Sequence, residues 1–276
     1  MKKYLSLIKF SHTIFAMPFA FIGFFLAIKD YDFKWITLFY VVFCMVFARS
    51  AAMAFNRYID RDIDTANTRT SQVREIPNGS IKANSALIFV IINSILFIAT
   101  TYFINTLCFA LSPIALLVIL GYSYTKRFTS LCHLVLGLGL SLAPIGAYLA
   151  VSGEFNIIPL FFSAAVLFWV SGFDIIYSLQ DEDFDKTHEL HSIPVLLGKN
   201  NALILSNILH LLSFFALSIA GSLGGFSLYY WIGFWIFSAL LVYQHTLVKH
   251  NDLSNVNLAF FTTNGIASLI FGAFVI

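Results

Sequence analysis

Apolar residues fill this chain in runs about twenty long, and polar residues gather in the short stretches between them. A run of that length is what an α-helix needs to cross a hydrocarbon slab about 30 Å thick. Nine such spans are expected, over roughly 13–29, 35–55, 84–105, 107–124, 131–151, 157–179, 201–221, 226–246 and 256–276. The pattern predicts an all-α integral membrane bundle, one membrane-embedded domain over 1–276. Pro113 and Pro144 interrupt spans four and five, which membrane helices tolerate. A basic start followed by an apolar run imitates a signal peptide. No small-x-small cleavage pattern precedes the second span, so the first is read as retained.

Charge placement gives the orientation. Lys2, Lys3, Lys9, Arg49, Arg57, Arg61, Arg69, Arg74, Lys82, Lys126, Arg127, Lys186, Lys199 and Lys249 fall on one side, and only Lys29 and Lys34 on the other. The basic-rich side is the cytoplasmic one, which puts the N-terminus inside and the C-terminus outside. Charged residues make up 11% of the chain, against about 25% in soluble domains. The net charge of +2 says little, and basic residues mixed with acids in short loops give no footprint for nucleic acid. Cys44, Cys108 and Cys132 sit in or beside apolar runs without metal-ligand spacing and read as structural. Gly137 and Gly139, with Ala143 and Gly146, read as close helix packing, and Pro77-Asn78-Gly79 as a turn.

Two polar segments stand out. Asp60-Arg-Asp62-Ile-Asp64 follows span two and Asp181-Glu-Asp183-Phe-Asp185 follows span six, each with the pattern Asp-x-Asp-apolar-Asp. Four spans separate them, so both emerge on the same side, as in a duplicated four-helix unit with a ninth helix added. Read as helix, Arg49, Asn56, Asp60 and Asp64 form one stripe, and Asp174, Tyr177, Asp181 and Asp185 another. Asp62 and Asp183 fall on other faces and are expected in solvent. Carboxylates one turn apart suit a hard cation such as Mg²⁺, which is held by one or two of them plus phosphate oxygens. Arg69, Arg74 and Lys126 are the nearby cations for those phosphates. Taken singly, an acidic run reads better as a solvated loop. Together they also admit a cation path, though transport sites usually lie nearer the bilayer midplane. Arg49 and Asp174 lie within apolar runs, where a charge needs a partner. His12 is a further candidate, while His188 and His191 read as solvated.

At these residues the chain resembles the UbiA superfamily of intramembrane prenyltransferases. The resemblance rests on Asn56, Asp60 and Asp64, with Arg57 where many members have Asp. It rests also on Asp174, Tyr177, Asp181 and Asp185, and on Tyr122-Ser-Tyr124-Thr-Lys126-Arg127. Ile8 to Ala20 and Arg49 to Arg57 look like the 4-hydroxybenzoate polyprenyltransferase-like branch. That branch includes the futalosine-route menaquinone enzymes, whose acceptor is 1,4-dihydroxy-6-naphthoate. The resemblance implies Mg²⁺-dependent transfer of a polyprenyl group from its diphosphate to an aromatic acid in ubiquinone or menaquinone synthesis. Asp60, Asp64, Asp181, Asp185 and Asn56 would act on metal and diphosphate. Arg69, Arg74, Lys126, Tyr177 and Asp174 would support the donor, and His12 and Arg49 would hold the acceptor. The implied setting is a bacterial inner membrane, with the site at the cytoplasmic face and no protein partner. Alternatives are a 1,4-dihydroxy-2-naphthoate or haem acceptor within the superfamily, a cation-coupled transporter, and a pseudo-enzyme that only binds lipid diphosphate.

Overall fold

The computed structural model describes residues 2–8 and 17–276, and the description that follows is of those residues. Each expected apolar run contains a helix, because backbone in hydrocarbon must satisfy its own hydrogen bonds. After a short α1 (Lys2–Leu7) come α2 (Met17–Ala27) and α3 (Trp35–Ile59). Two short polar helices follow, α4 (Arg61–Ala66) and α5 (Thr68–Ser71), then α6 (Ala83–Ile104) and α7 (Thr106–Thr125). The second half opens with α8 (Cys132–Ser152) and α9 (Ile157–Ser178), then a 3-10 turn and the short α10 (Glu182–Thr187). It ends with α11 (Ile193–Leu223), α12 (Leu228–Leu247), a π-helical turn over Leu258–Thr263 and α13 (Asn264–Val275). A short polar helix follows α3, and another follows α9 after the 3-10 turn.

Seven of the described helical segments are long and apolar enough to cross a membrane. Two expected spans fall short of that. Met17–Ala27 is apolar but only 11 residues long. α12 has the length, but Tyr229, Tyr230, Tyr243, Gln244 and His245 make it less apolar than the others. One further boundary differs from expectation. α11 begins eight residues before span seven and bends at Gly198, whose φ of 76° is the left-handed region glycine enters without strain. α7 and α8 run through Pro113 and Pro144 as continuous helices. In α7 the carbonyl that Pro113 cannot reach, that of Phe109, accepts from Ser112 Oγ at 2.8 Å. The Pro77-Asn78-Gly79 turn forms as expected, with Gly79 at φ 76°.

The core sits in the second half. Phe19 of α2 packs with Trp169, Phe237 and Phe271, four helices meeting around one aromatic cluster. The outer faces are apolar as well: Trp35, Tyr102, Leu117, Leu228 and Val242 are exposed, as lipid-facing side chains must be. α9 is the most enclosed long helix, packed between α8 and α11. Of the small residues on α8, Gly137 sets the α8–α9 approach. A methyl there would fall on Ser171 Oγ and lie 2.5 Å from the Leu167 carbonyl oxygen. Gly139 and Gly146 have no such role. The nearest atom to a methyl at Gly139 would be Ile119 Cγ2 at 3.7 Å, and at Gly146 the space is open.

Gly137→Ala is therefore expected to lower unfolding stability in mild detergent by about 1–3 kcal/mol, the usual cost of overpacking. Gly139→Ala is expected to leave the midpoint unchanged; equal midpoints for the two variants would refute the close approach at Gly137.

Candidate active site

The two aspartate stripes begin on long helices and finish on short ones. α3 ends at Ile59, and Asp60 stands at the junction with α4 at φ −86°, ψ 9°. Asp181 closes the 3-10 turn before α10 at φ −103°, ψ 0°. Both occupy the sparsely allowed bridge region, where many active-site residues sit. A continuous helix through each cluster was expected; each is broken there instead, where the apolar run has ended and aspartate competes for local backbone partners. The stripe survives the first break. Asp60 N–H bonds to the Asn56 carbonyl at 2.9 Å and Asp64 N–H to the Asp60 carbonyl at 2.7 Å, so the turn-by-turn register continues.

Both stripes face one cavity of about 500 Å³. Asn56, Asp60, Asp64, Asp174, Tyr177, Asp181 and Asp185 line it, as do Arg49, Arg69, Arg74 and Lys126. His12 lies outside the described residues. Asp62 and Asp183 are exposed, as the helical arithmetic predicts, and His188 is exposed against Phe184. His191 bonds through its backbone N–H to the Lys126 carbonyl at 2.7 Å.

Within the cavity the first stripe is ringed by cations. Asn56 Nδ2 donates to Asp60 Oδ2 at 2.9 Å and Asn56 Oδ1 accepts from Arg57 Nη1 at 2.9 Å. Lys126 Nζ stands 3.5 Å from Asp60 Oδ2, and Arg127 Nη2 lies 3.6 Å from Oδ1. Arg127 is itself fixed by Asp62 at 3.0 Å and by the Ile59 carbonyl at 2.7 Å. Burial raises the Asp60 carboxyl, with Lys126 and Arg127 opposing it, and pushes Asp64 up to about 6. Asp60 Oδ1 and Asp64 Oδ2 are buried and take no hydrogen bond. Nor do Arg49 Nε, Arg57 Nε and Arg74 Nη1. Buried polar atoms normally have partners, so a set of orphans of both signs in one cavity calls for a polar ligand.

The halves are joined across the cavity mouth. Arg69 holds Asp181 by a two-pronged fork, Nε to Oδ1 at 3.2 Å and Nη2 to Oδ2 at 2.5 Å, and its Nη1 donates to the Tyr177 hydroxyl at 3.1 Å. Asn67, which caps α5 by accepting from Arg69 N–H, reaches Asp181 at 3.4 Å. Deeper in, Asp174 Oδ2 pairs with His133 Nδ1 at 2.7 Å. Sequence reasoning missed Asn67 and His133. A lone histidine at the start of an apolar span was the available signal for the second. It also missed Phe260 and Phe261, which the π-helical turn directs to the cavity wall, Phe260 lying 4.1 Å from the Tyr177 ring. Gln244 and Asn264 stabilise that turn by donating to the Ala259 carbonyl. A second, apolar cavity of about 390 Å³ adjoins the first and shares Arg49, Met53, Tyr122, Leu136 and Leu140 with it.

A family model described as the UbiA prenyltransferase family matches residues 16–266. The chain belongs to the UbiA prenyltransferase family. It is 30% identical over 228 residues to a protein of Tolumonas auensis named 4-hydroxybenzoate octaprenyltransferase, covering 83% of this chain and 79% of that one. A protein of the same name from Aeromonas hydrophila is 31% identical, covering 88% and 83%. Among solved structures, the apo UbiA homologue from Aeropyrum pernix superposes with a TM-score of 0.87 at 31% identity, over 96% of this chain and 97% of that one. A UbiA homologue from Archaeoglobus fulgidus bound to DMAPP and Mg²⁺ shares the fold, at TM-score 0.73 and 22% identity over 99% and 97%. The chain is thus a prenyltransferase built in membrane helices, and the transporter reading gives way to the UbiA family.

Arg69→Ala is expected to loosen both sides of the cavity mouth. Amide hydrogen exchange in residues 67–74 and 177–185 should rise together by roughly fivefold, the equivalent of about 1 kcal/mol. A rise confined to one segment would show that the fork does not join the halves.

Proposed function

We propose that this enzyme transfers a polyprenyl group from polyprenyl diphosphate to a small aromatic acid, 4-hydroxybenzoate or 1,4-dihydroxy-6-naphthoate, with Mg²⁺, in quinone synthesis. The observation that carries the reading is the buried, unpartnered carboxylate and guanidinium atoms around one cavity. The lining is also balanced in charge. Asp60, Asp64, Asp174, Asp181 and Asp185 face Arg49, Arg57, Arg69, Arg74 and Lys126, five formal charges of each sign. Such a wall favours neither a bare cation nor a bare polyanion, but suits a diphosphate arriving with its divalent counter-ions.

The residues fit Mg²⁺. No group of three or more His, Cys, Asp or Glu converges on one point among the described residues. One or two carboxylates with phosphate oxygens completing the shell is the usual arrangement for this ion. Asp60 and Asp64 would offer one pair of carboxylates to such an ion and Asp181 and Asp185 a second pair across the cavity, with Asn56 orienting Asp60. The A. fulgidus homologue, solved with Mg²⁺ and a diphosphate donor, supports a divalent ion here. When bound, the metal supplies Lewis-acid stabilisation of charge on the departing diphosphate. Arg69, Arg74 and Lys126 grip its oxygens, Arg74 with a guanidinium nitrogen that has no other partner. Tyr177 and Asp174 complete the second stripe. The apolar annex takes the isoprenoid, and the aromatic wall around Phe260 excludes water while the allylic cation exists. Arg49, where the polar and apolar cavities meet, offers its free Nε to the acceptor carboxylate. His12 is assigned to the same acceptor. The name shared by the bacterial relatives supports 4-hydroxybenzoate as that acceptor. The basic residues clustered at the cavity end support a cytoplasmic site in a bacterial inner membrane.

The test is to supply membranes carrying the protein with a polyprenyl diphosphate, Mg²⁺ and both acids in competition, and to identify products by mass. A prenylated acid, lost on chelation, is expected. Asp60→Asn should abolish it and Asp62→Asn should cost little; no product from either acid would reject the acceptor class. Acidity supplies a separate check. Asp64 carries a proton below about pH 6, and Mg²⁺ must displace it, so metal binding weakens as pH falls. The Mg²⁺ concentration for half-maximal activity is expected to rise between pH 7 and pH 5, by at most about tenfold per pH unit for one displaced proton. A flat value across that range would remove Asp64 from the metal site.

A further inference from the structure

His133 is buried where α8 and α9 touch, and none of the chemistry above uses it. Its two ring nitrogens have different partners. Nε2 accepts the backbone N–H of Ile193 at 3.3 Å, so that nitrogen carries no hydrogen. The hydrogen is therefore on Nδ1, and it points to Asp174 Oδ2 at 2.7 Å. The ring is fixed as a neutral donor by the first residue of α11. Its position along α8 is fixed too. The His133 carbonyl accepts from Ser171 Oγ at 3.1 Å, one turn from the Gly137 contact that brings the helices together. Asp174 lines the cavity, and its second oxygen, Oδ1, takes no hydrogen bond from the described residues. Seven residues separate Asp174 from Asp181, and seven separate Arg49 from Asn56. Asp174 therefore stands about 10 Å along the chain's helix from the counterpart assigned above to metal and diphosphate, as Arg49, assigned above to the acceptor, does.

We infer that Asp174 is the base that removes the proton from the prenylated ring, and that His133 is its positioning residue. This rests on the aromatic-acceptor reading above. The allylic C–O bond breaks and its electron pair leaves with diphosphate. The ring carbon beside the acceptor hydroxyl supplies the pair for the new C–C bond. The hydrogen on that carbon then passes as a proton to Asp174 Oδ1, and its bonding pair returns to the ring. The Nδ1–H of His133 holds Oδ2 and so turns Oδ1 to the cavity. The locked ring orientation needs no proton transfer through the histidine itself.

The test uses membranes carrying the full chain, saturating donor and Mg²⁺, and 4-hydroxybenzoate with either hydrogen or deuterium beside the hydroxyl. His133→Leu should lower turnover about a hundredfold, the lower end of what a general base contributes. Its KM for the diphosphate donor should stay the same. A primary isotope effect, small or absent in the unaltered chain, should emerge because proton loss has become slow. His133→Asn, whose amide can donate from the Nδ1 position, should recover most of the rate. Full turnover by His133→Leu would overturn the proposal, as would a loss with no isotope effect and no recovery in His133→Asn. If His133→Leu does not accumulate, Asp174→Asn decides: a comparable loss with an isotope effect is expected, and turnover above about a tenth of normal overturns the assignment. Absence of any prenylated acid from the unaltered chain would instead reject the acceptor reading on which this one stands.

Discussion

Charge cannot be left unpaired at the edge of a hydrocarbon slab, and this constraint organises the molecule around its cavity. Five carboxylates and five cations line one space at one end of the bundle. Some are matched directly, as Arg69 with Asp181 and Asp174 with His133. Others, such as Asp64 Oδ2 and Arg74 Nη1, are buried with nothing to bond. The matched pairs hold the walls in place and the unmatched atoms define what the space can take.

The same constraint accounts for the broken helices. α3 and α9 carry their stripes out of the apolar layer, and each yields at an aspartate, Asp60 or Asp181, in the bridge region. The break turns the last aspartate of each stripe, Asp64 or Asp185, onto a short helix against the cavity. The Arg69 fork joins the two halves across the cavity.

Depth divides the labour. Near the mouth lie the groups suited to diphosphate and metal; one helical pitch or two inward lie Arg49, Asp174 and His133. The inner level depends on a close approach of α8 and α9, which the missing side chain of Gly137 permits. Packing of two helices thus sets the geometry of the Asp174–His133 pair.

By itself the sequence determined the all-helical membrane fold, the side on which charge gathers and the two carboxylate stripes. These follow from period and run length, which are local properties of a helix. It also carried the family resemblance, through residues of those stripes. Only the tertiary structure decided which stripes meet, that Asp181 is held by Arg69 and Asn67, and that His133 faces Asp174 from another helix. It alone separated Gly137 from Gly139, two glycines alike in sequence context, by what stands opposite each. It also corrected the straight helices through Asp60 and Asp181, and brought Phe260 to the cavity through a π-helical turn that no pattern announced. Periodicity tells which residues share a face; what that face meets is set by the packing of helices distant in the chain.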